Sequence, residues 1–447
     1  MKLLIVKSAV ESKWGSCKVI SPNLHKLYLG LGRPFKIEWF SLHEDLLKNE
    51  LQTYDSNIDR LLQCILKTKP DRLVFVDHLP PPPKVMAFLS LLTNLKKLPP
   101  IVFHIYGDFT YFAREWSYLN EILVGHPMTF VVASSSQKKL VNTFLGNSES
   151  NDVHELCFPV NEKEYFFDNK ERAKLRGELG LSEDDKVILY SGRVSLQKNV
   201  DVLIKEFLKL KKPTAGNYHL WVVGAFDDVG ADFIGYESYH GYMFSKIQAI
   251  IEAAPSSFRS RIKFWGQQGK INLRKIKSAS DLFASFSLYH DEDYGMSPAE
   301  ALACGLPSTL TDWGGYSSFV DNINKSKPRW SCDLVRVELS EYGSEIVVDD
   351  FQSYVKNFSQ LSATERSQKS RNFLSEFSIE ANIVKLERIL KSPPVAFQGF
   401  HWLLEQHATA LNLNWSKTKF NKFLSPKKDG YYQDIYKNYI SGMNHEK

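Results

Sequence analysis

The sequence predicts an α/β protein made of two units in tandem, each built around a parallel sheet. Short apolar runs alternate with helix-like stretches along both halves of the chain, which is typical of βαβ units. A chain of 447 residues is also long enough for two or three domains, each with its own core. We expect an N-terminal domain over 1–165, a second domain over 166–391, and a helical extension over 392–447 that crosses back to the first.

The composition argues against several classes of protein. A formal net charge of +5 is small for this length and indicates no nucleic-acid partner. The five cysteines are scattered and form no Cys-x-x-Cys pair, which argues against a disulfide framework and a structural zinc site. No run of eighteen apolar residues occurs, and the apolar run near the N-terminus is too short for a signal peptide. We therefore expect a cytoplasmic protein.

Five apolar runs in the first domain are bounded by polar or proline residues, and we expect them to be buried parallel strands. They are Leu3–Val6, Leu73–Val76, Ile101–Ile105, Phe130–Ala133 and Glu155–Phe158. Ligands of such sheets bind beyond the carboxyl ends of the strands, so the turns that follow the runs are where a site is expected.

The second domain repeats this pattern. Lys186–Tyr190 is predicted to be a strand that leads through a turn into an amphipathic helix. Further strands are expected to end at Val223 and to cover Ile262–Trp265 and Leu306–Leu310. A long insertion, 225–261, separates two of them.

The segment from His290 to Pro307 is predicted to be a loop that enters a short helix. Ser297 suits the N-cap position and Pro298 the first helical position. The free amide groups at such a helix start, together with the helix dipole, can bind an anion such as a phosphate. Gly295 allows the backbone to approach a ligand closely.

The same residues fit a purely structural interpretation. Ser297 and Glu300 have the spacing of a capping box, in which Glu300 accepts a hydrogen bond from the Ser297 amide. Taken alone, this pattern favours structure over function. The wider sequence context favours function.

That context resembles glycosyltransferase family 4. Glu292 and Glu300 lie eight positions apart around the pair Tyr294-Gly295, and Ala-x-Ala-Cys-Gly-x-Pro follows, as in the family signature. Gly192, Arg193 and Lys198 are similar to the family's Gly-Arg…Lys element, and Asp312-Trp313-Gly314-Gly315 is similar to its Gly-Gly loop. The resemblance covers about 180–390; it is weaker before this segment and absent in the tail.

The resemblance implies the glycosyltransferase-B fold, in which two Rossmann-like domains face each other across a cleft. It also implies a retaining glycosyltransferase that uses a nucleotide-diphosphate sugar and needs no metal or other cofactor. The acceptor is expected to be a carbohydrate or a lipid-linked sugar, with a cell-envelope glycan favoured by family frequency. The alternative is a non-catalytic module of the same fold that binds a nucleotide-sugar or a glycan.

By the same resemblance, the donor site has distinct parts. Arg193 and Lys198 would bind the diphosphate, Glu300 the ribose hydroxyls, and Glu292 would lie near the transferred sugar as a catalytic residue. Viewed singly, Arg193 and Lys198 also fit a solvated turn. Backbone amides around Gly295 to Ser297 would meet the distal phosphate and the sugar. The predicted donor-binding residues also include Gly192, in the turn before Arg193, and Tyr294 and Met296.

The first domain departs from the family pattern. Gly15, in Lys13-Trp14-Gly15-Ser16, is the nearest equivalent of the family's first glycine loop, and Tyr106 stands where the family often has a histidine. His104 lies two residues earlier, where a lone strand histidine is more often a core residue than a catalyst. Asp108, beyond the strand, is the catalytic candidate on the acceptor side.

Two further segments have both a structural and a functional interpretation. Asp77-His78, which ends another strand, could face the cleft, but a capping aspartate with a surface histidine is slightly favoured. The lysines and aromatic residues of 415–428 could make a peripheral contact with the inner face of a membrane. A solvated helix face with packed aromatic residues is the commoner arrangement.

Overall fold

The structure, a computed structural model, describes residues 1–11, 15–43, 51–145, 152–227, 241–320, 328–340, 343–413 and 431–440. The chain forms two units. Unit 1 contains Met1–Pro159 and Ile379–Ala410, and unit 2 contains Val160–Ser378 and Leu411–Lys447.

Unit 1 is a mostly parallel sheet with helices in the connections. Its strands are β1 Lys2–Ser8, β2 Lys36–Leu42, β3 Arg72–Phe75, β4 Ile101–His104, β5 Pro127–Val132, β6 Val153–Glu155 and β15 Val395–Ala396. Its helices are α1 Cys17–Leu29, α2 Leu51–Thr68, α3 Pro82–Leu92, α4 Ala113–Ser117, α5 Leu119–Ile122, α6 Ser135–Leu145, α15 Ile379–Lys391 and α16 Trp402–Leu413, of which the last three residues belong to unit 2.

The strand order in this sheet is β15-β5-β4-β3-β1-β2, and β6 pairs with β5. Only β15 runs antiparallel to its neighbour. All residues of the central strands β3 and β4 are buried, because helices cover both faces of a sheet made this way. The predictions for β1, β3, β4 and β5 are confirmed.

Two strands of unit 1 differ from the predictions. β6 is Val153–Glu155 rather than Glu155–Phe158: the strand ends before the apolar run, although Leu156 and Phe158 are buried. β2 was not predicted. It is an edge strand in which only Phe40 and Leu42 are buried, with the exposed Ser41 between them. The strand therefore lacks a continuous apolar run.

Unit 2 has a wholly parallel sheet in the order β12-β11-β10-β7-β8-β9, and a separate antiparallel hairpin of β13 and β14. Its strands are β7 Lys186–Ser191, β8 Tyr218–Val223, β9 Ile262–Gly266, β10 Leu282–Ser285, β11 Ser308–Thr311, β12 Cys332–Val335, β13 Val337–Ser340 and β14 Gly343–Ile346. Its helices are α7 Asn169–Glu178, α8 Val200–Leu208, α9 Tyr242–Glu252, α10 Ser256–Arg259, α11 Lys270–Ala279, α12 Met296–Ala303, α13 Asp349–Asn357, α14 Ala363–Phe377 and α17 Tyr431–Tyr436.

The strands β7, β8, β9 and β11 are confirmed in unit 2, as is the amphipathic helix α8. The four-residue strands β10 and β12 were not predicted, since runs of this length carry no clear period. The predicted insertion contains α9 and α10, and its residues 228–240 lie outside the described residues. The basic tail segment 415–428 also lies outside them.

Helix α14 fixes the ends of α11 and α12 through one buried side chain. The Arg366 guanidinium donates to the carbonyl oxygens of Ser278 and Ser280, each at 2.7 Å, and to those of Lys277 at 3.1 Å and Cys304 at 3.2 Å. Burial lowers the pKa of Arg366 to about 9. Because the carbonyl oxygens at helix ends lack intrahelical partners, one arginine satisfies several of them and locks three helices together.

The chain passes from one unit to the other at different residues from those predicted. The first boundary lies after Pro159 rather than at 165, and the chain returns to unit 1 at Ile379 rather than after 391. Helix α15 therefore belongs to unit 1, where it packs on α1. A Cβ atom added to Gly30 would lie 2.6 Å from Cδ1 of Ile383, so a glycine after α1 makes room for α15.

Within the described part of the chain, no helix combines the length and the apolar character needed to cross a membrane.

Candidate functional site

The turn after β7 is held by closely packed backbone. The Gly192 amide donates to the Val223 carbonyl at 2.9 Å, and a Cβ atom at Gly224 would lie 1.8 Å from the Gly192 oxygen. Gly224 has a φ of +144°, so only glycine fits there on both steric and conformational grounds. The Tyr190 hydroxyl donates to the Arg193 carbonyl at 2.7 Å. The predicted Gly-Arg element is thus a fixed turn at a strand end.

Arg193 and Lys198 each pair with a carboxylate. The Nη1 atom of Arg193 lies 2.8 Å from Oδ2 of Asp227. Lys198 ends a 3₁₀ turn, Leu196–Lys198, just before α8. Its Nζ atom lies 2.6 Å from Oε2 of Glu292. The structure therefore brings together Lys198 and Glu292, two predicted site residues that are far apart in the sequence.

Glu292 is fixed at both its side chain and its backbone. Ser287, after β10, donates to the same carboxylate oxygen that Lys198 contacts, and lies 3.1 Å from the lysine nitrogen. The Glu292 carbonyl accepts from the Gly315 amide at 2.7 Å and from the Tyr439 hydroxyl at 2.8 Å. The side chain is only 7% exposed, so its orientation is set by these partners.

The predicted Gly-Gly loop packs against this segment. A Cβ atom at Gly314 would lie 2.3 Å from the Glu292 oxygen, and one at Gly315 would lie 2.3 Å from the Asp293 oxygen. Both glycines are therefore required by close backbone contact. The loop positions Glu292 from the side of β11.

Helix α12 begins two residues earlier than predicted. Its N-cap is Gly295, with a φ of +98°, and Met296 is its first residue. The prediction of Ser297 as N-cap is wrong because the chain already turns into the helix at Gly295, in the left-handed region of backbone conformation. Gly295 also lies close to the Tyr316 ring, since an added Cβ atom would be 2.4 Å from Cε1 of Tyr316. The Ser297 hydroxyl instead bonds the hydroxyl of Ser191 at the end of β7.

The capping box is also absent from the start of α12, because Glu300 pairs with a lysine. Its carboxylate bonds the Nζ atom of Lys277, whose side chain is completely buried. The lysine also donates to the Ser297 carbonyl at 3.3 Å. Burial, together with the adjacent Glu300 carboxylate, raises the pKa of Tyr165, which shares a hydrogen bond with Glu300. Lys277 was not predicted as a site residue. Its only signal in the sequence is a lysine between Ile276 and the small residues Ser278 and Ala279, all of which are buried at the end of α11.

The side chain of Tyr294 packs into the core of unit 2. Its ring meets that of Phe319 edge-on, with the centroids 4.9 Å apart. Of the predicted donor-binding groups around the helix start, Tyr294 could therefore contribute only its backbone. Among the described residues, no group of three or more His, Cys, Asp or Glu side chains is placed to hold a metal ion.

Two predicted acceptor-side residues of unit 1 are core residues. His104 Nε2 lies 2.7 Å from the Tyr28 hydroxyl, and burial lowers the pKa of His104 to about 4. The Tyr106 hydroxyl donates to the Val76 carbonyl at 2.6 Å. Both side chains are enclosed by protein atoms, so neither presents a surface to an acceptor. Gly15 lies in an exposed turn where an added Cβ atom would have open space, and Lys13 and Trp14 lie outside the described residues.

Asp108 is paired with His78, which the sequence analysis favoured as a surface residue. The structure buries His78 and places its Nδ1 atom 2.9 Å from Oδ2 of Asp108. Burial alone would lower the pKa of His78, but hydrogen bonds with Asp108 and Cys17 raise it well above its ordinary value. The neighbouring Asp77 is buried as well. These groups lie beyond the carboxyl ends of β3 and β4 in unit 1.

Residues 171–326 match the model of the family described as glycosyl transferases group 1. This segment contains every residue of the Lys198, Glu292 and Glu300 clusters except Tyr165 and Tyr439.

Curated proteins with similar sequences include two named transferases or synthases. The D-inositol 3-phosphate glycosyltransferase of Segniliparus rotundus is 29% identical over 145 residues, which cover 32% of this chain and 29% of that protein. The N-acetyl-alpha-D-glucosaminyl L-malate synthase of Bacillus anthracis is 24% identical over 223 residues, which cover 50% of this chain and 52% of that protein. The chain thus matches between about a third and a half of the length of these relatives.

Solved structures match over most of the chain. HepE of Anabaena in complex with UDP superimposes with a TM-score of 0.60 at 16% identity, covering 87% of this chain and 99% of that one. A glycosyltransferase from Rickettsia africae also has a TM-score of 0.60 at 16% identity, covering 88% of this chain and 99% of that one. The likeness confirms the predicted fold class, the α/β glycosyltransferase-B fold.

Proposed function

We propose that the protein is a retaining glycosyltransferase that moves a sugar from a nucleotide-diphosphate sugar to a hydroxyl group of an acceptor without a metal ion. The observation that carries the proposal is two ion pairs of unit 2: Lys198, from the turn after β7, pairs with Glu292, from the loop after β10, and Lys277 pairs with Glu300 of α12. The family match over the same segment and the UDP bound to the HepE structure support a nucleotide-sugar donor.

Lys198 and the start of α12 would stabilise the leaving diphosphate. Two of the three N–H donors of the Lys198 ammonium are directed to Ser287 and Glu292, and the third could reach a phosphate oxygen. The first amides of α12 add the partial positive charge of a helix N-terminus. Arg193, oriented by Asp227, adds a planar fork that suits phosphate oxygens. Negative charge that develops on the leaving group would thus meet positive groups that are already in place.

Glu300 and Glu292 would bind different parts of the donor. Glu300 could accept hydrogen bonds from the ribose hydroxyls while Lys277 keeps its charge compensated. Glu292 would hold hydroxyls of the transferred sugar and ease positive charge at the anomeric carbon. We propose front-face attack: the acceptor oxygen bonds the anomeric carbon as the bond to the phosphate oxygen breaks, and that phosphate oxygen takes the acceptor proton. Glu292 is bonded by both Lys198 and Ser287, which disfavours it as a nucleophile in a double displacement.

The donor site is tested by binding. We would measure the thermal unfolding of the full chain with UDP-, GDP- and ADP-sugars, comparing wild type with Lys198→Ala and Glu300→Gln. One nucleotide class should raise the melting temperature, and both variants should lose most of that shift, since a ligand that binds only the folded state stabilises it. Lys205→Ala is the control, because Lys205 lies on the neighbouring helix α8 and its side chain is half exposed. No shift with any donor would reject the proposed donor site.

The chemistry is tested separately. Release of the nucleoside diphosphate with an acceptor panel should continue in the presence of EDTA, and nuclear magnetic resonance of the product should show the donor's anomeric configuration. Inhibition by EDTA that a divalent cation reverses would overturn metal independence, and an inverted product would overturn retention. Donor binding without any turnover would favour the non-catalytic binding module.

A further inference from the structure

A short segment of unit 2, residues 164–167, lies along helix α11 and is held there by cations. Three basic side chains of α11 are spaced by four and then three residues, so they lie on one face of the helix. They are Lys270, Arg274 and Lys277. Lys270 pairs with Glu164 at 2.9 Å. The guanidinium carbon of Arg274 lies 4.4 Å from the centre of the Phe166 ring, a cation–π contact. The segment is therefore fixed against the helix at more than one point.

Tyr165 makes the third of these contacts and reaches a predicted site residue. Its ring centre lies 5.1 Å from the Nζ atom of Lys277, and its hydroxyl donates a hydrogen bond to the Glu300 carboxylate. Lys277 bonds the same carboxylate at Oε2. Tyr165 is only 2% exposed, and the Lys277 side chain has no exposed surface. Two enclosed donors, one neutral and one charged, thus hold one carboxylate.

The Glu300 carboxylate keeps the capacity to bind a further donor. A carboxylate has two oxygens with about four lone-pair sites, and Tyr165 and Lys277 account for two of them. The Glu300 side chain also retains 6% of its surface. Because both protein donors are fixed by packing, they set the direction of the remaining lone pairs and hence the direction from which a ligand hydroxyl can approach.

We propose that Tyr165 is a positioning residue: together with Lys277 it orients the Glu300 carboxylate toward the ribose hydroxyls of the nucleotide donor, and the site thereby selects ribonucleotides over deoxyribonucleotides. This inference rests on the proposed function, because it concerns the ribose part of the donor site. A site with an oriented, largely buried acceptor for a hydroxyl group rejects the analogue without that hydroxyl, since the acceptor then stays unpaired. Tyr165 acts on the donor only through Glu300.

The smallest change that tests this role is Tyr165→Phe, which removes the hydroxyl and keeps the ring beside Lys277. Tyr218→Phe is the matched control. Tyr218 is also a buried tyrosine of unit 2, and the Nζ atom of Lys186 lies 5.9 Å from the centre of its ring. Its hydroxyl donates to the Val355 carbonyl at 3.4 Å and not to a site residue.

The measurement is calorimetric titration of the full chain with UDP, GDP and ADP, each beside its 2′-deoxy and 3′-deoxy analogues. Wild type should bind one ribonucleotide at least about tenfold more tightly than at least one of its deoxy analogues. Tyr165→Phe should reduce this ratio of affinities at least about fivefold, because Glu300 loses a donor that orients it. Tyr218→Phe should leave the ratio unchanged.

A double-variant cycle separates positioning from a general structural effect. If Tyr165 acts through Glu300, Tyr165→Phe should change the ratio in the wild-type background but not in the Glu300→Gln background. An equal change in both backgrounds would show that Tyr165 acts by another route and would overturn the proposal. An unchanged or increased ratio in Tyr165→Phe alone would overturn it as well.

Arg274→Met is the second variant if Tyr165→Phe does not fold. It removes the guanidinium beside the Phe166 ring and leaves Tyr165, Lys277 and Glu300 unchanged, so it loosens only the segment that holds the hydroxyl in place. The ratio should fall at least about twofold, and an unchanged ratio would overturn the proposal. A wild type that binds nucleotides without distinguishing the deoxy analogues would contradict this inference and leave the donor site in place. Binding of no nucleotide would reject the proposed donor site, and this inference with it.

Discussion

The Glu300 carboxylate lies in unit 2 beside the ammonium group of Lys277, whose side chain has 0% exposure. Replacing Lys277 by methionine would leave a buried carboxylate without its counter-charge. We expect Lys277→Met to lower the free energy of unfolding by about 3 kcal/mol and to abolish the donor-induced thermal shift. Chemical denaturation and the donor assay measure the two effects.

Two variants control that experiment. Lys275→Met removes a lysine from the same helix that is about a third exposed and pairs with Glu171, so it should have little effect. Lys277→Met combined with Glu300→Gln removes both charges and should recover part of the lost stability. Equal stabilities of Lys277→Met and Lys275→Met would contradict the prediction.

Gly315 is a second residue at which the neighbouring atoms leave no space for a side chain. Its added Cβ atom would lie 2.3 Å from the Asp293 oxygen, so Gly315→Ala must displace the backbone beside Glu292. We expect a loss of stability of about 1–3 kcal/mol and a clear loss of donor affinity. Gly269→Ala is the control, because an added Cβ atom there has no neighbour within 4 Å. Similar donor affinities of the two variants would show that the loop contact does not position Glu292.

Some site residues could be named from the sequence and others could not. Glu292 and Glu300 stand in one short motif, and Lys198 follows a strand at a recognisable spacing. Lys277 lies 23 residues from Glu300, and Tyr439 lies 147 residues from Glu292. Their contacts depend on how distant segments pack, which a local pattern does not encode. The residues that pair with Glu292 and Glu300 over these distances could therefore be identified only from the structure.

On the scale of elements, α17 and the 3₁₀ turn Lys437–Tyr439 after it brace the Glu292 loop. The Tyr436 and Tyr439 rings pack on Trp313, with centroids 5.5 and 5.1 Å away, and the Trp313 indole donates to the Tyr289 carbonyl at 2.6 Å. Aromatic contacts of this type add stability beyond the area they bury. The described segment 431–440 is therefore part of the structure that holds the Glu292 loop in place.

Tyr439→Phe tests this bracing. It removes the hydroxyl that donates to the Glu292 carbonyl at 2.8 Å but keeps the ring on Trp313. The carbonyl keeps its bond from the Gly315 amide, so we expect a loss of only about 1 kcal/mol in stability. Turnover should fall more than donor affinity if Glu292 acts near the transferred sugar. Tyr118→Phe, an exposed tyrosine in unit 1, should change neither quantity.

Element boundaries were predicted correctly where the local sequence carries a clear signal. The strands β1, β3, β4, β5 and β7 are apolar runs, and they stand where the runs predicted them. The start of α12 was misplaced by two residues because Ser297 and Pro298 are good start signals in isolation. The Tyr316 ring, packed against Gly295, decided the actual start, and its approach is a tertiary contact.

At the scale of the whole molecule, the α/β class with two parallel sheets followed from the alternation of elements, but the path of the chain did not. An amphipathic helix such as α15 shows that it packs against something without showing its partner. Its place beside α1 in unit 1 depends on the space at Gly30 that Ile383 occupies. The division of the chain into its two units could therefore be identified only from the long-range contacts in the structure.

The pH dependence of stability is expected to follow the buried histidines of unit 1. Burial lowers the pKa of His104 to about 4 and that of His407 to about 3, against roughly 6.5 in an unfolded chain. Below pH 6.5 the unfolded chain binds protons that the folded unit does not, so stability falls as the pH is lowered toward 4. His78 has the opposite shift, since its pKa is raised. Its contribution is complete below pH 6.5 and is lost only as the pH rises through its folded-state pKa, so it does not offset the loss in acid.

His104→Gln isolates one of these contributions. Between pH 7 and 4.5 the wild type should lose about 2–3 kcal/mol through His104, as the shift in its pKa requires, and the variant should lose that much less. Urea denaturation at a series of pH values, with hydrogen exchange to locate the change in unit 1, measures the difference. His401→Gln is the control because His401 is exposed. The glutamine variant is expected to be less stable at pH 7, so the slope with pH, and not the absolute stability, is decisive. The same slope in wild type and His104→Gln would mean that this buried histidine takes up its proton in the folded protein as readily as in the unfolded chain.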